Sequence, residues 1–254
     1  MVRYKEPPFV VGYDVCGEVV ESLHDATPIG TKLFGRVRDG DMGTIGEFVA
    51  VRPEFLGVLP PGMDEGSAAC IGLAGLTALQ MIQEAGGAEK NSSVLILGGP
   101  GGVGHFAVQI CRILGFKTII ATASTTKVEF VKQLGATQVI DYKTQNVVDM
   151  VPKESLDCVL DTVGDAESVF SLIKKGGKCV SIAASPTSGI FPTEDQIHTG
   201  VREPISSPGI LSLAIPLISA KTRFHAWYAG ITYAYLFVKP NREDVQQLRT
   251  KIFI

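Results

Sequence analysis

One stretch constrains this chain more than any other. The apolar run Val94-Leu95-Ile96-Leu97 breaks into Gly98-Gly99-Pro100-Gly101-Gly102-Val103-Gly104 and passes into a helical pattern of Phe106, Val108, Ile110 and Ile113. Glycines 99, 101 and 104 satisfy G-x-G-x-x-G between a strand and a helix. Glycine is required there because the backbone turns sharply and must come close to its ligand. The helix N-terminus then offers N–H groups and partial positive charge to an anion such as a pyrophosphate. No Gly-Lys-Ser/Thr follows, so the loop is not a Walker loop. A glycine-rich turn in some other α/β domain is the alternative to a dinucleotide site.

The surroundings continue the theme. Ser93–Leu97, Lys117–Ser124, Gln138–Tyr142, Leu156–Val163 and Gly177–Ala183 read as strands, with Gly102–Leu114 and Thr126–Leu134 as helices among them. Gly115 and Gly135 stand where a helix end favours a left-handed residue. Strand, helix, glycine, strand is the pattern of βαβ units, so the expected fold class is α/β with a doubly wound parallel Rossmann sheet. Before it, Phe9–Val20, Thr31–Val37 and Gly46–Val51 read as short β-runs closed by Pro60-Pro61-Gly62. A helical pattern from Ala68 to Ala85 stops at Gly86-Gly87. Beyond Ser185 the chain reads as loop, then as an apolar helical stretch over Gly209–Ala220.

The end of the second strand of the unit selects the dinucleotide. An NAD site places Asp or Glu about 20 residues past the glycines, on the ribose 2′-hydroxyl. Here Ala123-Ser124-Thr125-Thr126-Lys127 holds no acid but three hydroxyls and a cation. Those groups suit a 2′-phosphate, so the expected cofactor is NADP(H). Capping of the following helix by Ser or Thr is compatible with the same residues.

Charge and cysteine usage exclude other classes. Lys and Arg number 23 against 26 Asp and Glu, a net charge of −3, which argues against a nucleic-acid partner. Gly209–Ala220 spans 12 residues and contains Pro216, whereas a membrane span needs about 20. MVRYKEPPF lacks the apolar core of a signal peptide. Cys16, Cys70, Cys111, Cys158 and Cys179 are scattered with no CxxC, as in a reducing, cytoplasmic setting. An organelle stays open, because any targeting peptide is expected in a missing N-terminus. His24, His105, His198 and His225 show no ligand spacing, so no metal is expected.

Several further segments share an order with one known family: GYDVCGEVVE (12–21), GEFVAV (46–51), LAGLTALQ (73–80), GGVGHFAVQ (101–109), LGATQVIDY (134–142), DCVLDTVG (157–164), GGKCVSIA (176–183) and FVKPN (237–241). Through them the chain resembles zinc-independent members of the medium-chain dehydrogenase/reductase superfamily, of the quinone oxidoreductase (zeta-crystallin-like) type. The resemblance implies a partial GroES-like catalytic domain over 1–77, a Rossmann domain over 78–240 and the start of a return segment over 241–254. By the same resemblance, Thr77 lies near the nicotinamide, and Gly101, Gly102 and Val103 meet the pyrophosphate. Ser124 and Lys127 hold the 2′-phosphate, and Tyr142 flanks the adenosine. Gly164, Ser181 and Ile182 line the ribose and nicotinamide, while Phe237 and Val238 face the cleft.

Zinc-dependent relatives carry a histidine where this chain has Tyr13, and the residue before Gly101-Gly102 is Pro100 rather than the usual small residue. Relative to the family the chain reads as truncated at both ends, with a compromised catalytic half. The implied activity is NADPH-dependent hydride transfer to quinones or α,β-unsaturated carbonyls, in a homodimer. An enoyl reductase of polyketide or fatty-acyl type and a catalytically impaired NADPH-binding fragment are the alternatives. No catalytic side chain is assigned; Tyr13 is the weak candidate for a proton donor.

Overall fold

The computed structural model describes residues 10–23, 27–90, 92–183 and 220–252. These divide into two units, 10–77 with 238–252, and 78–183 with 220–237.

The first unit is built on a three-stranded antiparallel sheet of β1 (Asp14–Glu18), β2 (Lys32–Arg36) and β3 (Leu56–Val58), in that order. Cys16 lies opposite Phe34, and Phe34 opposite Gly57. Leu33, Phe34, Val37 and Leu56 are buried on it. The helix Arg242–Ile252 closes over this core with Val245 and Leu248. The fit is close: a Cβ at Gly57 would stand 2.7 Å from Val245 Cγ1. Asn241 Oδ1 accepts from the Asp244 amide at 2.7 Å, capping that helix.

Arg36 is buried at 1% exposure. Its Nε donates to Val37 O at 3.0 Å, its Nη1 to Val238 O at 3.4 Å and its Nη2 to Asp39, while its guanidinium lies 5.3 Å from the centre of the Tyr13 ring. A buried guanidinium is tolerated only with such partners.

Expectation and structure part at several points here. Phe9–Val20 shortens to the five residues of β1. Gly46–Val51 forms no strand: backbone pairing with 11–12 ends at Ile45, and Phe48 is 76% exposed. Without a partner chain among the described residues the alternating pattern has no ladder to join. β3, too short to stand out, takes the place beside β2. The expected helix over 68–85 is two, α1 (Glu65–Ala69), capped by Asp64, and α2 (Gly72–Ala85). The break has a packing cause. A Cβ at Gly72 would sit 2.1 Å from Gly35 O, and the next amide, of Leu73, donates to Asp14 Oδ1. The helix of this unit begins directly after the FVKPN segment (237–241), at Arg242.

After a short helix α3 (Gly87–Lys90), the second unit holds a six-stranded sheet. Its strands are β4 (Ser93–Leu97), β5 (Thr118–Ala123), β6 (Gln138–Asp141), β7 (Leu156–Asp161), β8 (Ile173–Ser181) and β9 (Thr232–Tyr235). All adjacent pairs are parallel, in the order β6-β5-β4-β7-β8-β9. That is the 3-2-1-4-5-6 order of a doubly wound nucleotide-binding fold. Every residue of β4 is buried, as in a parallel strand covered on both faces.

Helices α4 (Gly104–Ile113), α5 (Val128–Gln133) and the short α6 (Val147–Met150) lie in the crossovers. α4 turns Phe106, Ala107, Val108, Ile110 and Cys111 inward. Gly115 (φ +85°) and Gly135 (φ +111°) take the left-handed conformation expected of them after α4 and α5. β8 starts earlier than the expected Gly177, with a shift in its pairing to β7 between Leu156 and Cys158. β9, rich in tyrosine and preceded by Gly230, has no counterpart in the sequence reading. Most of the apolar stretch 209–220 lies outside the described residues.

Candidate functional site

The two halves of the sheet diverge between β4 and β7, and in open α/β sheets the crevice outside the strand carboxyl ends at such a switch point is where ligands bind. The loop from β4 enters there. Gly98 has φ +84°, and a Cβ on it would clash with Thr162 Oγ1 at 2.6 Å and Val163 Cγ1 at 2.7 Å. A Cβ on Gly104 would stand 2.1 Å from Gly98 O, so the start of α4 packs directly on the loop. Gly102 differs: a Cβ there would meet nothing within 4 Å. Gly101 and Gly102 are exposed, Val103 is half-buried, and no side chain caps α4. The tight glycines shape a cradle and the open ones line it, in front of a helix N-terminus that keeps amides for an anion. Pro100 removes one N–H donor from the loop. The loop is tied to β5 by Gly98 N to Thr122 Oγ1 and Gly99 N to Thr122 O, both at 2.9 Å.

Across the switch point, a residue outside the expected set organises the β7 loop. Asp161 is fully buried at 0% exposure. Its Oδ1 accepts from the amides of Val163 (3.1 Å), Gly164 (2.8 Å) and Asp165 (3.3 Å), and its Oδ2 from Ser181 Oγ at 2.7 Å. The only sequence signal for it is an acid closing an apolar run, Val159-Leu160-Asp161, before Thr162-Val163-Gly164. Ser181 was expected to line the ribose, yet it is fully buried and its hydroxyl serves Asp161. Gly164 is exposed at φ +88° and borders a cavity with Asp165, Glu167 and Thr222. Ile182 is half-buried; its amide donates to Asp161 O at 3.1 Å and its carbonyl accepts from Tyr235 at 2.8 Å. Burial pushes the Tyr233 phenol up to about 12, against a hydrogen bond with Ser181 that lowers it. The Phe237 ring packs at a tilt against that of Tyr235, with ring centres 5.0 Å apart and planes 58° apart.

The third part lies at the ends of β5 and β6. Ser124 stands at the N-cap position of the turn Thr125–Lys127 without a side-chain cap bond. Lys127 is exposed, its Nζ 5.9 Å from the Phe130 ring centre. Tyr142 is 52% exposed; its amide donates to Ala123 O at 3.1 Å, and Lys143 Nζ lies over its ring at 5.3 Å. Strand pairing of Ala123 with Asp141 puts these two loops side by side. Lys143 is thus a second cation in the group, one that a motif reading stopping at Tyr142 passes over.

The structure brings Gly101, Gly102, Val103, Ser124, Lys127, Tyr142, Gly164, Ser181 and Ile182 to one edge of one sheet. Phe237 follows β9 in the same unit. Thr77 and Val238 belong to the first unit: Thr77 is buried with its hydroxyl donating to Leu73 O at 2.7 Å, and Val238 is half-buried with its carbonyl on Arg36. Among the described residues no group of three or more His, Cys, Asp or Glu is placed to hold a metal ion. His105 Nδ1 stands 2.9 Å from Gly101 O, and His225 Nδ1 2.9 Å from Glu167 Oε2.

A family model described as zinc-binding dehydrogenase matches residues 102–203. A 2-methylene-furan-3-one reductase of Solanum lycopersicum is 34% identical over 189 residues, covering 71% of this chain and 48% of the relative. An NADPH-dependent alkenal/one oxidoreductase, chloroplastic, of Arabidopsis thaliana is 34% identical over 190 residues with the same coverage, 71% and 48%. The structure of the quinone oxidoreductase from Coxiella burnetii aligns with a TM-score of 0.75 at 27% identity, covering 96% of this chain and 68% of that one. The chain spans about half the length of these curated relatives. A glycine cradle at the switch point of a 3-2-1-4-5-6 sheet, together with these likenesses, makes this chain similar to the zinc-binding dehydrogenase family and to the reductases and the quinone oxidoreductase named above.

Proposed function

We propose that this chain binds NADP(H) and belongs to a reductase that passes a hydride to quinones or α,β-unsaturated carbonyls. The observation that carries the reading is the cradle of Gly101, Gly102 and Val103 before the uncapped start of α4, with no acid at the end of β5. A group with a pyrophosphate fits there, because Gly102 leaves space where any side chain would intrude.

In this reading Gly101, Gly102 and Val103 meet the pyrophosphate, the Gly102 and Val103 amides donating to it while the Gly101 amide holds the turn through Gly98 O at 3.0 Å. Ser124 and Lys127 hold the 2′-phosphate, and the Tyr142 ring covers the adenosine. Gly164 and Ile182 line the ribose and nicotinamide, with Ser181 and Asp161 holding that loop from beneath. Bound NADPH supplies the hydride itself; the chain's work is alignment and exclusion of water. Thr77, Phe237 and Val238 enter by resemblance, as does a homodimer. The proposed organisation is a catalytic domain over 1–77, a Rossmann domain over 78–240 and a return segment from 241. Five thiols free of disulfides support a reducing, cytoplasmic compartment. Among the described residues no helix is long and apolar enough to cross a membrane.

The names of the two plant relatives favour enones, and that of the solved neighbour favours quinones. Titration of NADPH fluorescence, run beside turnover of a quinone and of an enone, tests the reading. Saturable NADPH binding with turnover of either acceptor is expected. Absence of nucleotide binding would overturn it.

A further inference from the structure

The end of β5 carries no acid, but the neighbouring strand supplies one to the same place. Asp141 closes β6 directly beside Ala123, one residue before Ser124. Its Oδ1 accepts from the Lys143 amide at 3.0 Å, and its carboxyl is hydrogen-bonded by the Thr125 side chain. The carboxyl therefore ties the loop of Ser124 and Lys127 to the loop of Tyr142 and Lys143. Its backbone is fixed as well: the Asp141 amide donates to Gln145 Oε1 at 3.0 Å, and its carbonyl accepts from the Thr144 and Gln145 amides at 3.0 and 2.8 Å. The Thr125 bond, set against a smaller effect of burial, holds the carboxyl below the usual range, so it is an anion at neutral pH.

Two consequences follow for a ribose subsite. Thr125, one of the three hydroxyls at the end of β5, is already engaged, which leaves Ser124 and Thr126. A fixed negative charge also stands close to the Lys143 cation, with Lys127 on the neighbouring loop that Thr125 ties to it. A carboxylate has about four acceptor positions, so Asp141 keeps capacity for another donor such as a ribose hydroxyl, while a phosphate is repelled.

Resting on the nucleotide-binding reading above, we propose that Asp141 is a specificity-determining residue. It narrows the preference for NADPH over NADH, and Lys143 joins Lys127 as the second phosphate-binding cation that offsets it. Discrimination in this chain is then a balance of two lysines against one carboxylate, rather than the simple absence of an acid.

The test is the ratio of dissociation constants for NADH and NADPH, measured by fluorescence titration on the wild type, Asp141→Asn and Lys143→Ala. Asn keeps an oxygen for the Lys143 amide and Thr125, so the tie between the loops survives while the charge goes. Asp141→Asn is expected to widen the preference for NADPH by roughly 5- to 10-fold, the scale of one unit charge acting on another near solvent. Lys143→Ala, at an exposed side chain, is expected to narrow it by a similar factor and to flatten the salt dependence of NADPH binding. A purely structural role for Asp141 would weaken both nucleotides together and leave the ratio unmoved, which would overturn the proposal. So would an unchanged ratio in Lys143→Ala. Failure of the wild type to bind either nucleotide would instead bring down the reading on which the proposal rests.

Discussion

β4 and β1 are both five residues long, and they are buried in opposite ways. Every residue of β4 is inside, whereas no residue of β1 is fully buried. β4 is an inner strand: it is flanked by β5 and β7 in a parallel sheet covered on both faces, and so its text is one continuous apolar run. β1 is the edge of a three-stranded antiparallel sheet. Around it Val10, Ile45 and Phe48 stand 52%, 68% and 76% exposed. The lesson is one of redundancy. The second unit spreads its stability over a core layered on both sides of its sheet, while the first rests on a smaller core that includes Leu33, Phe34, Val37, Leu56, Ile71 and Leu76 with Val245 and Leu248 of the closing helix.

This contrast is open to attack, most forcefully through the core. Leu95→Ala, at a site with 0% exposure in β4, is expected to lower stability by about 2–5 kcal/mol. Phe48→Ala in the first unit is expected to change it by less than about 0.5 kcal/mol. Urea titration of both variants decides; a comparable loss at Phe48 would mean that its exposed ring is buried in solution and would break the comparison.

The next test stays within the glycine loop. Gly104→Ala forces a methyl to 2.1 Å from a backbone carbonyl and is expected to cost roughly 1–3 kcal/mol, as overpacking does, with loss of nucleotide binding. Gly102→Ala, into open space, should leave the melting temperature unchanged and weaken NADPH alone. If Gly102→Ala binds NADPH like the wild type, the open face of the cradle is not where the pyrophosphate lies.

The smallest effect is electrostatic and sharpens the contrast by sign. Asp157, at the amino end of β7, is pushed up by burial, but the Lys174 ammonium and the Ser92 and Ser93 donors outweigh this and hold it far below the usual carboxylate range. A depressed carboxyl contributes stability above its unfolded value near 4, and that contribution fades as pH falls from there. Asp14 of β1 is raised, by burial first, despite the Leu73 amide and Arg36. There the folded state binds the proton more readily, so lowering the pH through its raised value adds stability. Thermal melts from pH 6 to pH 3 should therefore show a shallower acid loss in Asp157→Asn and a steeper one in Asp14→Asn. Equal slopes in both variants would remove this difference between the units.

Legibility in the chain followed the same division. The glycine loop, the βαβ alternation and the glycines after α4 and α5 could be read directly, because each rests on a local requirement: a turn, a continuous buried run, a left-handed cap. The break between α1 and α2 could not, since Gly72 is set by Gly35 of a distant strand and Leu73 by Asp14. Nor could the failure of Gly46–Val51 to pair, because alternation states that a segment suits a ladder and not that a partner is present.

The candidate site divides in the same manner. Sequence by itself determined the cradle and its setting between a strand and a helix, since tight turning and close approach admit only glycine at 98 and 104. Tertiary structure alone decided what surrounds it. It brought Asp161 under the loop that carries Gly164, turned Ser181 from an expected ribose contact into the partner of that carboxylate, and set Asp141 beside Ser124. Local spacing encodes backbone conformation, whereas charges and hydrogen bonds between strands depend on register, and register is settled only when the whole sheet packs.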